Sequence, residues 1–187
     1  MRINLSSFVA CVLLGISTPP ALALAPQQTT STQTAASSFE TCTSPIQPAP
    51  ALMHQLIGWI GQHTDYDVAA AQSDLPAVTF CKTGEVIDYE GRQMIVDRSL
   101  NAAYDEIDRR IWLVLPWSPD NARDVSVLLH ELVHDVQFRA RSWPCPQASE
   151  QEAYRLQHDW LAEQGVASGF NWFAIHMRAR CPSDVHP

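Results

Sequence analysis

Leu52, Leu56, Trp59 and Ile60 recur at the spacing of one helix face, with Pro50 near the start, and predict a first helix over residues 50–64. The period then changes. "PAVTFC" (76–81) alternates and is rich in β-formers, so it reads as a strand, whereas residues 86–97 fit a strand or a helix equally well. Residues 102–116 read as a hairpin, two β-prone arms about a polar turn near Glu106–Asp108, and its second arm "RIWLVL" is the strongest strand in the sequence. From Ser118 the helical period returns and runs to Phe138, with Ser118 or Asp120 as the cap and Asp120 and Asp124 acidic near the positive end. A further helix follows from a Ser149 cap to Gly165, and residues 170–181 predict a short last helix over the core. Helices packed on a small sheet, with a hairpin just before the longest helix, make an α+β domain.

The first residues break this pattern. "FVACVLLGI" is a short apolar run behind Arg2, and "TPPALALA" ends in small residues, the form of an export signal cut after Ala23, or after Ala25. The run falls short of the ~18–20 residues that span a bilayer, and no second such run follows, so no membrane span is expected in the mature chain. The expected organisation is a signal peptide over 1–23, a lead-in rich in Ser, Thr, Gln and Pro over 24–48, and one domain over 49–187. The mature chain would be periplasmic or extracellular.

Export changes the reading of the cysteines. Without Cys11, the mature chain keeps Cys42, Cys81, Cys145 and Cys181, an even number that reads as two disulfides with three possible connectivities. The expected pairs are Cys42–Cys81 and Cys145–Cys181, each stapling one half of the domain. No pair has the C-x-x-C spacing of a zinc ribbon or a thioredoxin motif. A net charge of −8, with Lys82 the only lysine, argues against a general nucleic-acid or anionic-membrane binder.

The candidate chemistry lies in "LLHELVHDVQ", residues 128–137. Positions four apart on a helix lie about 40° apart and one turn up, so His130 and His134 can meet one ion. Glu131 stands beside them, where its carboxylate can act on a water held at that ion. Val125, Leu129, Leu132, Val133 and Val136 cluster on the opposite side of the wheel and would anchor the helix. His54 and His63 have no such partner spacing and read as surface or core residues.

At these residues the chain resembles the zincin metallopeptidases. "VLLHELVHDV" fits their helix pattern except at Asp135, where an uncharged residue is expected. Gln137 and Ala140 stand where the longer metzincin motif has Gly and His, which leaves the gluzincin type, with a later glutamate as third ligand. "SEQEAY" offers Glu150 and Glu152; Glu152 is favoured because the following Ala153 resembles the Glu-Ala step of gluzincin ligand helices. Ser149 and Glu152 also form S-x-x-E, a capping box that would use the same carboxylate structurally. The chain is similar, too, to a group of small exported bacterial proteins of unknown function that look like minimal gluzincins. The match runs through Tyr104–Asp105 and Ile111–Leu113, through residues 128–137, and from Cys145 to Leu161.

The resemblance implies a minimal zincin-like domain in which a small sheet and hairpin pack on the active-site helix and a glutamate-bearing helix follows. It implies one Zn²⁺ per chain on His130, His134 and Glu152, with Glu131 as general base in a zinc-dependent peptidase. "RIWLVL" would be the cleft-edge strand, and Tyr154, His158 and His176 are candidates for the oxyanion-stabilising group. The substrate would be a peptide or protein, cell-wall peptide included. The alternative is a catalytically inactive zincin-fold binding or scaffold domain in the cell envelope.

Overall fold

A computed structural model describes residues 48–182. The expected signal peptide, nearly all of the lead-in, and Cys42 lie outside the described residues. The first helix, α1 (Pro50–His63), buries Met53, Leu56, Ile57 and Ile60, an i, i+3, i+4, i+7 stripe. Leu52 and Trp59 pack at the margin of the core. A short helix α2 (Ala69–Ser73) follows, and Gln72 bonds His54 from it. His63 stacks on Trp59 and lies 3.0 Å from Glu163, so both early histidines serve the surface.

Three strands form the main sheet in the order β1 (Ala77–Cys81), β5 (Arg110–Val114), β4 (Ala102–Asp105). β5 pairs parallel with β1 and antiparallel with β4, so the most apolar strand is central and β4 is an edge. This corrects the expected cleft-edge role of "RIWLVL": both of its edges are already paired. The ambiguous residues 86–97 form a separate hairpin, β2 (Val86–Tyr89) and β3 (Arg92–Ile95). Its two-residue turn, Glu90–Gly91, has positive φ at both positions (51° and 72°), the backbone of a type I′ turn.

The long helix α3 (Ala122–Ala140) is capped by Asn121, whose side chain accepts from the Arg123 N–H. Ser118 and Asp120 are therefore not its caps. Asp124 accepts instead from the Ser118 N–H. Apart from Val127, α3 is buried on every side from Val125 to Gln137. It packs between the sheet, α1 and α4 (Glu150–Glu163), the structure of an α+β domain.

Ser149 does not form the capping box. A 3₁₀ turn over Pro146–Ser149 runs directly into α4, and the Ser149 hydroxyl donates to the Pro146 carbonyl oxygen. The last helix, α5 (Trp172–Arg178), closes on α4, and the Cys145–Cys181 disulfide joins the segment before α4 to the end of the described chain. Cys81 is buried in a second small cluster with Ile87, Val96 and Trp112. Its expected partner, Cys42, lies outside the described residues.

Among the described residues, no helix is long and apolar enough to cross a membrane.

Candidate metal centre and cleft

His130 and His134 sit one turn apart on α3 and are almost fully buried beneath α4. Their Nε2 atoms face one another at 3.2 Å. The Glu150 carboxylate completes the group, 3.3 Å from His130 Nε2 and 3.6 Å from His134 Nε2. A tetrahedral ion with ligands at ~2.0–2.2 Å needs ligand atoms ~3.3–3.6 Å apart, so these three residues fit one divalent cation.

The surrounding hydrogen bonds fix which nitrogens carry protons. Gln137 Nε2 donates to the Ser149 carbonyl (3.1 Å) and to Glu152 Oε2 (2.9 Å), both of them acceptors only. Gln137 Oε1 must then face His134 Nδ1, 3.0 Å away, which donates to it. The same logic holds at His130. Ser126 gives its proton to the Arg123 carbonyl and accepts from Gln157 Nε2, so Gln157 Oε1 accepts from His130 Nδ1 at 3.1 Å. With both Nδ1 positions protonated in the neutral rings, each Nε2 presents a lone pair. Two facing lone pairs repel unless a proton or a metal cation lies between them.

Glu150, not Glu152, is the glutamate brought to the histidines. The two lie about 200° apart around α4, so only one of them reaches the Nε2 pair, while the other meets α3 a turn further on, at Gln137. Glu152 turns toward the α1–α2 loop and the end of α3, where it accepts from the Tyr66 hydroxyl (2.5 Å) and Gln137, with Arg141 3.6 Å away. Its carboxylate helps raise the Tyr66 pKa to about 12, after burial, the larger cause. Glu152 therefore acts on the site at one remove: it orients Gln137, which orients His134.

The electrostatics suit a cation. Burial pushes the Glu150 carboxyl up, but its bonds to the two histidines outweigh this and hold it far below the usual range. Burial pulls His134 down, yet Glu150 and Glu131 together hold it above its ordinary value. Glu131 is raised, chiefly by burial; the histidines and the Tyr104 backbone N–H oppose the shift.

Asp135 faces the opposite way. It is fully buried and accepts from Tyr104 Oη at 2.9 Å and Arg109 Nε at 3.1 Å. Arg109 in turn reaches Asp74. The charge that departs from the zincin pattern is thus neutralised on the sheet side of α3, away from the three candidate ligands.

His130, Glu131 and Tyr154 line two adjoining cavities, one of about 630 Å³ and one of about 220 Å³. Tyr154 meets the His130 ring edge-on at 4.5 Å between centroids. The other two oxyanion candidates lie elsewhere: His158 bonds Ser168, and His176 is exposed on α5.

Edge strand β4 borders both cavities through Ala102. Tyr104 spends its outward backbone groups within the protein, its N–H on Glu131 and its carbonyl on the Tyr89 hydroxyl. By strand alternation, Ala102 presents its N–H and carbonyl in the same direction.

Sequence reasoning passed over Gln137, Gln157 and Tyr104. The first two were legible as stripes. His130, His134 and Gln137 share a face of α3, and Glu150, Tyr154 and Gln157 share a face of α4, at spacings of four and three. No curated protein and no solved structure matches the chain. One family model matches residues 45–187, most of the chain, and the chain therefore belongs to the family described as Domain of unknown function (DUF6647).

Proposed function

We propose that the chain is an exported zinc-dependent hydrolase of the gluzincin type, a peptidase, with His130, His134 and Glu150 as the zinc ligands. The observation that carries this reading is the pair of Nε2 lone pairs facing at 3.2 Å beside an ionised carboxylate, with a second buried carboxylate, Glu131, opening onto the same cleft. When bound, the ion supplies Lewis acidity toward a carbonyl oxygen and toward the attacking water. Glu131 accepts the proton from that water and delivers it to the leaving amine. Tyr154, the one oxyanion candidate that lines the cleft, donates toward the developing charge. Ala102 supplies a backbone N–H and carbonyl for an extended peptide added to the edge of β4. Signal-like residues at the chain start support export, which puts cell-wall peptides among the substrates within reach.

Asp135, the departure from the zincin helix pattern, is bound to Tyr104 and Arg109 on the far side of α3, and this supports the hydrolase over a catalytically inactive scaffold. Glu131→Gln tests the assignment. It keeps the side chain's shape and removes the proton acceptor without touching a ligand. Zinc content and thermal stability should stay near those of the parent, and hydrolysis of any responsive peptide should fall by ~10²–10⁴-fold. Equal rates for parent and variant on every substrate that turns over would sink the hydrolase reading.

A further inference from the structure

The two cavities on either side of Glu131 carry opposite charge. Among the described residues, the larger is lined by Arg123 and Arg178, with Glu131 its only carboxylate. Among the same residues, the smaller is lined by Glu90, Glu106 and Glu150 as well as Glu131, and by no lysine or arginine. In a chain of net charge −8, two arginines gathered at one end of a cleft are a local reversal of the overall field. Neither has a carboxylate partner among the described residues. Arg123 is held by main-chain carbonyls, donating to Ala167 at 2.8 Å and Ser168 at 3.4 Å, which positions its guanidinium without neutralising it. Arg178, at the end of α5, lines the same cavity as Tyr154.

The polarity runs along β4. The residues just before that strand, Leu100 and Asn101, border the basic cavity, whereas Tyr104 and Glu106 border the acidic one. A peptide pairing with β4 through Ala102 is better held antiparallel than parallel. Its N-terminal side then lies among the glutamates and its C-terminal side runs toward the arginines. Charge and strand direction, two separate observations, agree on one orientation.

Room and reach agree too. The C-terminal side has about 630 Å³ against about 220 Å³ on the other. From His130 back to Arg123 is seven residues of helix, or about 10.5 Å. An extended peptide covers that distance in about three residues.

We propose that Arg123 and Arg178 form a carboxylate-recognition subsite that selects peptides with an anionic group about three residues beyond the bond facing Glu131. In a short peptide that group is the C-terminal carboxylate; in a longer one it is an acidic side chain. Guanidinium groups suit this task because they offer planar, charge-assisted and often bidentate bonds to a carboxylate. The subsite deepens the peptidase reading and rests on it for the bond that is cut, but its test is independent of turnover.

The test is binding by zinc-loaded full-length Glu131→Gln protein. Alanine-based peptides of four to six residues are compared as C-terminal acid and C-terminal amide, and amides with an internal Glu form a third arm. We expect the acids, or the Glu-containing amides, to bind at least ten-fold more tightly than the plain amides. That ratio should shrink several-fold in Arg178→Gln, approach one when Arg123→Gln is added, and fall as salt is raised. Both arginines are exposed, so the variants should fold. Equal affinity in all arms, no measurable binding, or a preference that survives the double substitution would overturn the subsite. Parent-protein turnover then separates the two readings. Carboxylate-selective binding without hydrolysis on any bound peptide counts against the peptidase alone. Hydrolysis without selectivity counts against the subsite alone.

Discussion

Glu150→Ala and Glu152→Ala should differ sharply in zinc affinity, although the two residues are separated by a single position. Glu150 has its carboxylate 3.3 and 3.6 Å from the two Nε2 atoms, so its removal takes away one of three protein ligands. A structural site of four protein ligands gains about 10–16 kcal/mol from zinc at neutral pH, or roughly 2.5–4 kcal/mol per ligand. At 1.4 kcal/mol per decade, loss of Glu150 should weaken binding by ~10²–10³-fold. Glu152 acts only through Gln137, which keeps the Ser149 carbonyl as a second acceptor and so keeps its amide oxygen on His134. Loss of an outer partner of that kind costs ~10–100-fold in metal affinity, and the retained bond puts Glu152→Ala near the low end. It should also cost about 1–2 kcal/mol of stability, because the Tyr66 hydroxyl and the Gln137 amide each lose an acceptor. The assay is competition for zinc against a chromophoric chelator at fixed pH, with thermal denaturation of the metal-free proteins alongside. Equal zinc loss in the two variants, or greater loss from Glu152→Ala, would refute the assignment of Glu150 and the relay through Gln137.

Gln157→Leu should leave the fold intact but lower zinc affinity ~10–100-fold, since His130 loses the acceptor that fixes its tautomer; the same chelator competition reads it. Asp135→Ala should leave zinc affinity near that of the parent and cost about 3 kcal/mol in urea unfolding, the low end for breaking a buried pair, because Arg109 stays partly in water. Tyr154→Phe should lower turnover of a responsive peptide about ten-fold or more while zinc content is unchanged. Cys145→Ser with Cys181→Ser should destabilise the domain by ~2–4 kcal/mol, the usual range for a native bridge, measured by denaturant titration against the oxidised parent.

The α+β class was legible because it rests on local period. Helix spacing in α1, α3 and α4 and the hairpin about Glu106–Asp108 all follow from residues near one another in sequence. The hairpin over residues 86–97 was not legible from period, although the Glu90–Gly91 turn carried a signal in its glycine. Strand order was beyond reach. "RIWLVL" is apolar on both faces because it is the central strand, whereas its expected cleft-edge role had come from the zincin resemblance alone. Which of Glu150 and Glu152 comes to the histidines was not legible for a related reason. A helical wheel gives the angle between two side chains, but which of them meets the histidines depends on how α4 is laid across α3.

Asp135 shows how one departure from a pattern can be settled by a partner far away in the chain. On the sequence it stands directly after His134 and invites a role in the site. A residue one step along a helix is turned by about 100°, however, so neighbours in sequence face different elements. His134 looks to α4, and Asp135 looks to the sheet, where Arg109 leaves the β4–β5 turn at positive φ and reaches back to it. Tyr104 joins the two functions: its hydroxyl donates to Asp135, and its backbone N–H donates to Glu131. The buried charge that seemed to compromise the candidate centre thus anchors the strand that positions Glu131. Substitution there should loosen β4 against α3 before it disturbs the histidines. Proton exchange at the Tyr104 amide in Asp135→Asn reports this directly: faster exchange with unchanged zinc affinity is expected, and unchanged exchange would show that β4 is held without Asp135.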